Sequence, residues 1–350
     1  MKILFVYPPN QLMPMETPRP DGSLGPLYLI GALRQIGIEA DLLDATAEKF
    51  EQTVMQENGL LRVGMNAEQI SERIAPYDVI GVHSNFTPQT KMAFEVARLA
   101  KEQGKKVIAG GVNARALWMR FRDTGLFDLI CMGEGERTIQ EAAVSFSGVS
   151  GAIRCEGKEF REANIPFTLS HLDELPFPAW DKLPFHLYDN IASPHGVDLL
   201  DKERYAPLMT SRGCPFRCSY CHISTEKGGI GDLRLKSVNR VLEEIEVLKK
   251  LGVKKVFIED DSFLAKKGRV KEIFGAIKGS GLTIADVNGV NLVHLFHKVG
   301  SCLIPDVPYM KLLYEAGFKQ IVFPVESGSQ RVLDKYATGK LQLDIMDVVS

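Results

Sequence analysis

Residues 212–221 read Arg-Gly-Cys-Pro-Phe-Arg-Cys-Ser-Tyr-Cys and contain three of the six cysteines in the chain. These three, Cys214, Cys218 and Cys221, have the spacing C-x3-C-x2-C. Three thiolates this close together can bind one face of a cubane iron–sulfur cluster, which normally takes four cysteines. No fourth cysteine lies nearby, so one iron of a [4Fe–4S] cluster would be open to a small molecule. An open iron predicts chemistry at the cluster rather than electron transfer alone.

Two other uses of these cysteines are less consistent with the sequence. Structural zinc sites usually pair two halves of two ligands each, and only one half is visible here. His222 follows Cys221 directly and is poorly placed to bind the same ion. A disulfide framework is not expected in a long chain with few cysteines and no secretory signal. The cluster is the favoured interpretation, and zinc is the alternative.

The composition describes an ordinary globular chain. The 350 residues are enough for two domains, with 45% hydrophobic and 25% charged residues. The formal net charge of −2 gives no reason to expect a nucleic-acid partner or an anionic lipid surface. The apolar run at residues 1–9 is too short for a signal peptide or a membrane span. We therefore expect a cytoplasmic protein without a membrane span.

The first half of the chain alternates strand and helix patterns. Helical spacing occurs at residues 27–36 and 90–103, each followed by a glycine. The strand candidates are residues 3–7, 39–43, 79–83, 106–109 and 129–132. This alternation predicts an α/β domain of the Rossmann-like, doubly wound type, whose ligands bind beyond the carboxyl ends of the strands.

The loops at those strand ends contain glycine and small polar residues. Gly110 and Gly111 directly follow a strand, where they allow a ligand to approach the backbone closely. Gly133, Glu134 and Gly135 precede a helix, where amide groups point outward. The candidate binding residues of this half are Pro8, Gly25, Ser84, Asn85, Thr87, Gly110, Gly111, Gly133, Glu134 and Gly135.

The second half repeats strand–helix units with polar residues after the strands. Strands are predicted at residues 207–211, 255–258, 283–287 and 320–325, and helices include residues 238–251, capped by Ser237, and 307–316. This pattern predicts a (βα) barrel with its site at the carboxyl-terminal rim. Only about four units fit, so we expect a partial barrel, truncated at its C-terminus, that a longer chain or another chain completes.

The cysteine spacing, with Tyr220 before the third cysteine and a strand before the first, resembles the signature of radical S-adenosylmethionine (SAM) enzymes. The resemblance implies that SAM chelates the open iron through its amino and carboxylate groups. Reduction then cleaves SAM to a 5′-deoxyadenosyl radical, which abstracts hydrogen from an unactivated carbon.

The same resemblance implies a set of SAM contacts. Acids after the second strand suit the ammonium group, residues after the fourth strand suit the ribose hydroxyls, and neighbours of the third cysteine suit the adenine. In that order they are Glu259, Asp260 and Asp261; Glu326 and Ser327; and Tyr220 and His222. The Gly-Gly-Glu motif frequent in that family is missing here, so which acid binds the ammonium stays open.

The loops of the first half resemble the cobalamin-binding domain that precedes many radical SAM domains. The motif Asp-x-His-x-x-Gly, whose histidine ligates cobalt in the mutase type, is absent, and His83 does not match it. The lower face of the cobalt is therefore unassigned. We expect a cobalamin-binding domain at residues 1–148, a proline-rich linker at 149–204 and a radical SAM domain at 205–350.

Together these resemblances imply a cobalamin-dependent radical SAM enzyme that methylates a carbon or phosphorus centre through methylcobalamin. Oxidative cyclisation or ring rearrangement is the alternative within the family, and a corrinoid- or redox-sensing regulator is an alternative of another class. The implied partners are a small-molecule or peptide substrate and an external electron donor such as flavodoxin or ferredoxin. The sequence does not identify the substrate or a residue that acts on it.

Overall fold

The computed structural model describes residues 1–166, 168–191, 203–223, 232–300 and 302–337. The chain divides into two compact units. In the described part of the chain, the first comprises residues 1–166, 168–169 and 175–191, and the second comprises residues 170–174 and everything from residue 203 onward. Within the described ranges, every helix is too short or too polar to cross a membrane.

The first unit is built on a seven-stranded sheet with helices on both sides. Its strands are β1 (Ile3–Tyr7), β2 (Asn10–Leu12), β3 (Ala40–Asp44), β4 (Thr53–Met55), β5 (Leu61–Val63), β6 (Val79–His83), β7 (Lys106–Gly110), β8 (Leu129–Cys131), β9 (Ala152–Glu156) and β10 (Glu159–Ala163). Its helices are α1 (Leu24–Gln35), α2 (Ala67–Ile74), α3 (Thr90–Glu102), α4 (Val112–Ala116), α5 (Trp118–Asp123), α6 (Gly135–Val144) and α7 (Phe185–Tyr188).

The strand order of this sheet is β10-β9-β8-β7-β6-β1-β3. Strands β3, β1, β6, β7 and β8 run parallel to one another. The chain moves to one side of β1 to form β3 and to the other side to form β6. The strand order therefore reverses between β1 and β6, and ligands of doubly wound sheets bind in the crevice beyond such a switch point.

The two faces of the sheet bury separate hydrophobic cores, because successive side chains of a strand point to opposite faces. Leu4 and Val6 of β1 pack in a core with Val96 of α3 and Ile70 of α2. Ile3 and Phe5 pack in the other core, with residues of α1 and α6. Helices thus cover both faces, and the predicted doubly wound α/β fold is confirmed.

Two antiparallel additions to this unit have no counterpart in the sequence prediction. Strands β9 and β10 form a hairpin that continues the main sheet beyond β8. The first unit therefore extends beyond residue 148, where the sequence predicted its end. Strands β2, β5 and β4 form a separate small sheet. Strands β2, β4 and β5 have three residues each and β10 is largely exposed, so their sequences show little of the apolar pattern that marks buried strands.

The second unit contains a four-stranded parallel sheet and two hairpins. Its strands are β11 (Tyr205–Leu208), β12 (Ser211–Cys214), β13 (Asp232–Leu235), β14 (Lys255–Ile258), β15 (Thr283–Asp286), β16 (Phe296–Val299), β17 (Cys302–Pro305) and β18 (Phe318–Gln320). Its helices are α8 (Val238–Lys250), α9 (Lys267–Ile277), α10 (Val307–Glu315) and α11 (Gln330–Tyr336). The parallel order β11-β14-β15-β18, with helices between successive strands, confirms the predicted βα arrangement.

Two details differ from the prediction for this unit. The cysteine loop follows β12, which pairs with β13 in an antiparallel hairpin, and does not follow the first parallel strand directly. The fourth parallel strand ends at Gln320, although strand structure was predicted for residues 320–325. In this segment the Val322 carbonyl accepts from Val290 N–H at 2.8 Å, and Pro324 has no N–H to extend a ladder.

Candidate functional site

The cysteine loop is held against the last described helix. Cys214 is the final residue of β12, and the Cys221 N–H donates to the Cys218 carbonyl at 3.1 Å. Cys218 is 8% exposed and packs with Leu333, in the middle of α11, and with Ala337, directly after it. The loop and helix α11 therefore form one surface on which the thiols lie.

The three thiols suit a cluster better than a single ion. Among the described residues, no three His, Cys, Asp or Glu side chains are arranged to hold one metal ion. Cys214 lies close enough to Cys221 to interact with it electrostatically, and Cys221 packs beside Cys218. In a cluster each thiolate binds a different iron, so the sulfurs are spread more widely than ligands around one ion. A structural zinc site instead gathers four ligands around a single ion.

The acids after β14 have different environments. Asp260 is 1% exposed, and its carboxylate accepts hydrogen bonds from Thr210 N–H at 2.5 Å and from the Thr210 and Ser211 hydroxyls at 2.6 Å each. Burial raises the pKa of Asp260, and these hydrogen bonds oppose that effect. Both oxygens of its carboxylate accept these hydrogen bonds, which hold the start of β12. Asp260 therefore positions the start of β12, and its contact with SAM stays a prediction.

Glu259 and Asp261, on either side of Asp260, are only partly buried. Asp261 Oδ2 accepts a hydrogen bond from Gly213 N–H at 3.0 Å, next to the first cysteine. Asp261 therefore lies directly beside the cysteine loop.

A buried polar network continues from Asp260 to two helices. Arg269 of α9 donates to the carbonyl oxygens of Thr210 and Lys236, both at 2.9 Å. The Lys236 ammonium and the Glu244 carboxylate of α8 are both 0% exposed and lie 2.5 Å apart. Sequence reasoning missed these residues, because a buried charge gives no pattern in a single sequence. The network ties both strands of the cysteine hairpin to the helices behind it.

Gly213, between Arg212 and the first cysteine, is required by the close approach of the hairpin strands. Its φ is +87°, a conformation that residues with side chains rarely adopt. A Cβ atom there would lie 2.1 Å from the carbonyl oxygen of Asp232 on β13. The glycine before Cys214 thus sets the entry of the chain into the cysteine loop.

Tyr220 joins the cysteine loop to the segment after β18. Its hydroxyl hydrogen-bonds with Cys218 and with Glu326, and burial together with these two groups raises its pKa. Glu326 is exposed and has a φ of +61°, the one positive value among the described non-glycine residues. The structure therefore brings together Tyr220 and Glu326, which were predicted for different parts of SAM. Ser327 Oγ accepts from Ser329 N–H at 3.1 Å, and His222 is exposed.

The switch point of the first unit holds a buried polar cluster. His83 Nε2, at the end of β6, lies 2.9 Å from Ser23 Oγ and 3.5 Å from Asp21 Oδ1. Gln89 donates to Asp21 Oδ2 at 2.6 Å, and its own oxygen accepts from Asn85 N–H at 2.8 Å. Burial raises the pKa of Asp21, but His83 and these hydrogen bonds outweigh it and hold the pKa at about 2. The cluster fixes the loops after β1 and β6 relative to each other.

The predicted residues after β6 and β7 divide into buried and open positions. Ser84 is 0% exposed and accepts a hydrogen bond from the Asn113 amide at 2.8 Å. Asn113, which sequence reasoning missed, also donates to Thr90 Oγ1 at 2.9 Å. Ser84 therefore holds the loops together, and its contact with a ligand stays a prediction. Asn85 is partly buried, and Thr87 is exposed.

The two glycines after β7 have distinct roles. Gly111 has a φ of +103°, and a Cβ there would lie 2.3 Å from the Ser84 carbonyl oxygen. Gly110 has open space at its Cβ position, with no heavy atom within 4 Å. Gly111 is thus needed by the fold, whereas Gly110 leaves room that a bound group can occupy.

The remaining predicted residues of this unit surround the same edge of the sheet. Pro8 is buried directly after β1, and Gly25 is exposed near His83 in the first turn of α1. The Cβ positions of Gly133 and Gly135 are blocked by Pro166 and Leu29, respectively. Glu134 Oε2 accepts from Leu169 N–H at 3.4 Å. Contacts within the protein therefore explain why residues 133 and 135 are glycines, and Glu134 holds residue 169.

The two units match two protein-family models. Residues 22–143 match the B12 binding domain, and residues 208–349 match the radical SAM superfamily. The first range contains the loops after β6 and β7, and the second contains the cysteine loop. The chain belongs to the cobalamin-binding radical SAM enzymes. The expected fold class and the resemblance behind it are thereby confirmed.

Two curated relatives of this radical SAM enzyme are similar along most of its length. Cytidylyl-2-hydroxyethylphosphonate methyltransferase of Streptomyces wedmorensis is 28% identical over 98% of this chain and 68% of the relative. An uncharacterized methyltransferase of Pyrococcus horikoshii is 28% identical over the whole chain and 70% of the relative.

A solved structure shares the fold. The radical SAM methyltransferase TsrM of Kitasatospora setae, determined with tryptophan substrate and a SAM analogue, matches with a TM-score of 0.62 at 17% identity. The match covers 99% of this chain and 64% of that protein. At this identity the likeness establishes the fold of the radical SAM enzyme and leaves its substrate to other observations.

The contrast between the two glycines after β7 predicts different effects of the same substitution. Gly111→Ala should destabilise the first unit by about 1–3 kcal/mol, the cost of holding a side chain at a left-handed φ, before any clash with Ser84. Gly110→Ala should leave the melting temperature unchanged and lower the retention of hydroxocobalamin. Thermal melting and the absorbance of bound cobalamin measure both effects. Wild-type cobalamin retention by Gly110→Ala would contradict the placement of the ligand.

Asp286, at the end of β15, predicts a pH dependence of stability. It is 1% exposed; Oδ2 accepts from Gly289 N–H at 2.8 Å, and Oδ1 has no hydrogen-bond partner among the described residues. Burial, with a contribution from Asp260, raises its pKa from 3.8 to about 7. Between these values the folded protein keeps a proton that the unfolded chain has released, so stability falls as the pH rises through this window.

Asp286→Asn should remove this dependence, because the amide oxygen can still accept from Gly289 and carries no charge. At about 1.4 kcal/mol per pKa unit, the gain in free energy of unfolding at pH 8 is up to about 4 kcal/mol, with little change at pH 4. Urea denaturation at the two pH values measures it. An equal effect of the substitution at both would show that Asp286 does not titrate in this range.

Proposed function

We propose that this radical SAM enzyme methylates a small-molecule substrate at a carbon or phosphorus centre with cobalamin as the methyl carrier. The observation that carries the proposal is the presence, in one chain, of a three-cysteine loop and a B12-binding fold with open space at Gly110. When bound, the [4Fe–4S] cluster supplies the electron that cleaves SAM, and cobalamin supplies a methyl group.

The residues of the second unit have separable tasks in this proposal. Cys214, Cys218 and Cys221 hold the cluster as thiolates. Glu259 and Asp261 are the candidates for the SAM ammonium because they are partly exposed, whereas Asp260 is buried against Thr210 and Ser211. Glu326, which hydrogen-bonds with Tyr220 beside the cysteine loop, is the candidate for the ribose hydroxyls.

The residues of the first unit bind and orient the corrin in this proposal. The backbone at Gly110, together with Asn85, Thr87, Pro8 and Gly25, lines the edge of the sheet at the switch point. The Asp21–His83–Gln89 cluster keeps the surrounding loops in place. His83 Nε2 already contacts Ser23 and Asp21, so we do not assign it as a ligand of cobalt.

The names of the similar proteins support two classes of substrate, a phosphonate and an aromatic amino acid. The Streptomyces wedmorensis relative is named for a cytidylyl-hydroxyethylphosphonate, and the Kitasatospora setae structure for tryptophan. The electron that the cluster needs would come from a reduced flavodoxin or ferredoxin.

The test is an anaerobic incubation with SAM, hydroxocobalamin, a reductant and candidate substrates from these two classes. Methyl transfer predicts both 5′-deoxyadenosine and S-adenosylhomocysteine, because one SAM is cleaved and another gives up its methyl group. Deoxyadenosine without S-adenosylhomocysteine would favour cyclisation or rearrangement. Formation of neither product by an iron-loaded protein would contradict the proposal.

A further inference from the structure

Cys214 is surrounded by hydrogen-bond donors to which the proposed function gives no role. Its sulfur accepts hydrogen bonds from Phe216 N–H and from the Ser262 hydroxyl. Ser262 is 6% exposed and directly follows the acids after β14. The same Ser262 Oγ lies 3.4 Å from His294 Nε2, in the 3₁₀ turn Leu292–Leu295. One buried hydroxyl thus lies between a cysteine of the cluster loop and an imidazole.

The number of hydrogens fixes the direction of these contacts. A serine hydroxyl carries one hydrogen, and an iron-bound thiolate can only accept. The Ser262 hydrogen must therefore go to the sulfur, and His294 Nε2 must donate its hydrogen to the serine oxygen. The result is a directed chain from His294 through Ser262 to Cys214, in which each bond polarises the next.

His294 is suited to this donor role. Its ring packs on Phe216 of the cysteine loop, with 5.5 Å between centroids, which holds the imidazole beside Ser262. Burial, with a contribution from Lys267, lowers the pKa of His294 to about 4, so near pH 7 the ring is neutral and carries one N–H. Lys267 of the neighbouring helix α9 is the charged group that acts on His294. Its ammonium group pairs with the Asp306 carboxylate at 2.9 Å.

We propose that Ser262, oriented by His294, donates a hydrogen bond to the iron-bound Cys214 thiolate and thereby raises the reduction potential of the cluster. The inference rests on the proposed function, since it requires the cluster. One-electron reduction by an external donor adds one negative charge to the cluster and its thiolates, with no bond made or broken. A hydrogen-bond donor stabilises the more negative state more strongly, and hydrogen bonds to the sulfurs are one determinant of such potentials.

The test is an EPR-monitored redox titration of the reconstituted full chain with dithionite. At the potential where the wild-type cluster is half reduced, Ser262→Ala should lower the ratio of reduced to oxidised cluster about tenfold, which is about 59 mV for one electron. Ser262→Thr keeps the hydroxyl and should retain the wild-type potential. His294→Phe keeps the ring contact with Phe216 and should shift the potential in the same direction by less.

The outcomes separate this inference from the proposed function. Wild-type potentials for both Ser262→Ala and His294→Phe, with the cluster intact, would overturn the inference alone. If Ser262→Ala does not take up iron, the potential of His294→Phe decides, and a wild-type value overturns the inference. A wild-type chain that binds no cluster at all would contradict the proposed function, and the inference with it.

Discussion

Cys218→Ala is expected to abolish both cluster binding and the formation of 5′-deoxyadenosine. Three thiolates bind three irons of a [4Fe–4S] cluster and leave the fourth for SAM, so the loss of Cys218 leaves a second iron without its thiolate. Cys218 is the most buried of the three and faces Leu333 and Ala337, so water cannot easily replace its thiolate. Iron and sulfide content after anaerobic reconstitution, together with product analysis, measure the effect.

The matched control is Cys155→Ala, since Cys155 is also buried, at 3% exposure, but lies in β9 of the first unit. It should keep the iron content and the deoxyadenosine yield of the wild-type protein. Deoxyadenosine formation that persists in Cys218→Ala would overturn the assignment of the cysteines. Equal losses in the two variants would show that the effect is one of folding.

Asp260→Ala should be the most damaging substitution outside the cysteines. It leaves the Thr210 and Ser211 donors buried without their acceptor and leaves Arg269 without the nearby negative charge. Removing one member of a buried, hydrogen-bonded charged network costs about 3–5 kcal/mol. Because the network holds β12, we expect faster amide hydrogen exchange in residues 208–214 and a lower iron content. Mass-spectrometric hydrogen exchange and iron analysis measure the two effects.

The adjacent acid provides the control. Asp261→Ala removes one acceptor, for Gly213 N–H, at a partly buried position. It should leave hydrogen exchange at Thr210 and Ser211 unchanged, and by our proposal it should weaken SAM binding. If Asp260→Ala retained wild-type iron content and exchange rates while Asp261→Ala did not, the positioning role of Asp260 would be wrong.

The sequence predicts the elements whose patterns are local. Strands β1 and β6 are buried apolar runs and were placed at their observed bounds, and Ser237 accepts from Arg240 N–H as the expected N-cap of α8. The prediction of the fourth strand in the second unit was wrong beyond Gln320. The apolar run at residues 321–325 looks like a buried strand in the sequence, whether or not a neighbouring strand pairs with it.

The sequence also identified the cysteine loop and the acids near it, but not which acid is buried. Glu259, Asp260 and Asp261 are three consecutive acids, and the contact with Thr210, 50 residues away in the sequence, distinguishes Asp260 from the other two. Likewise, Asp21 contacts both His83 and Gln89 at the switch point, although both lie more than 60 residues later in the sequence. Long-range polar contacts of this kind follow from topology, which a single sequence does not display.

We propose that Cys214, Cys218 and Cys221 hold a [4Fe–4S] cluster with one iron open to SAM. The EPR spectrum of the reconstituted, reduced wild-type chain, recorded with and without SAM and compared with its iron content, tests this. We expect about four irons per chain and a spectrum that SAM changes, because SAM becomes a ligand of the cluster. Bound zinc in place of iron, or a cluster spectrum that saturating SAM leaves unaltered, would contradict it.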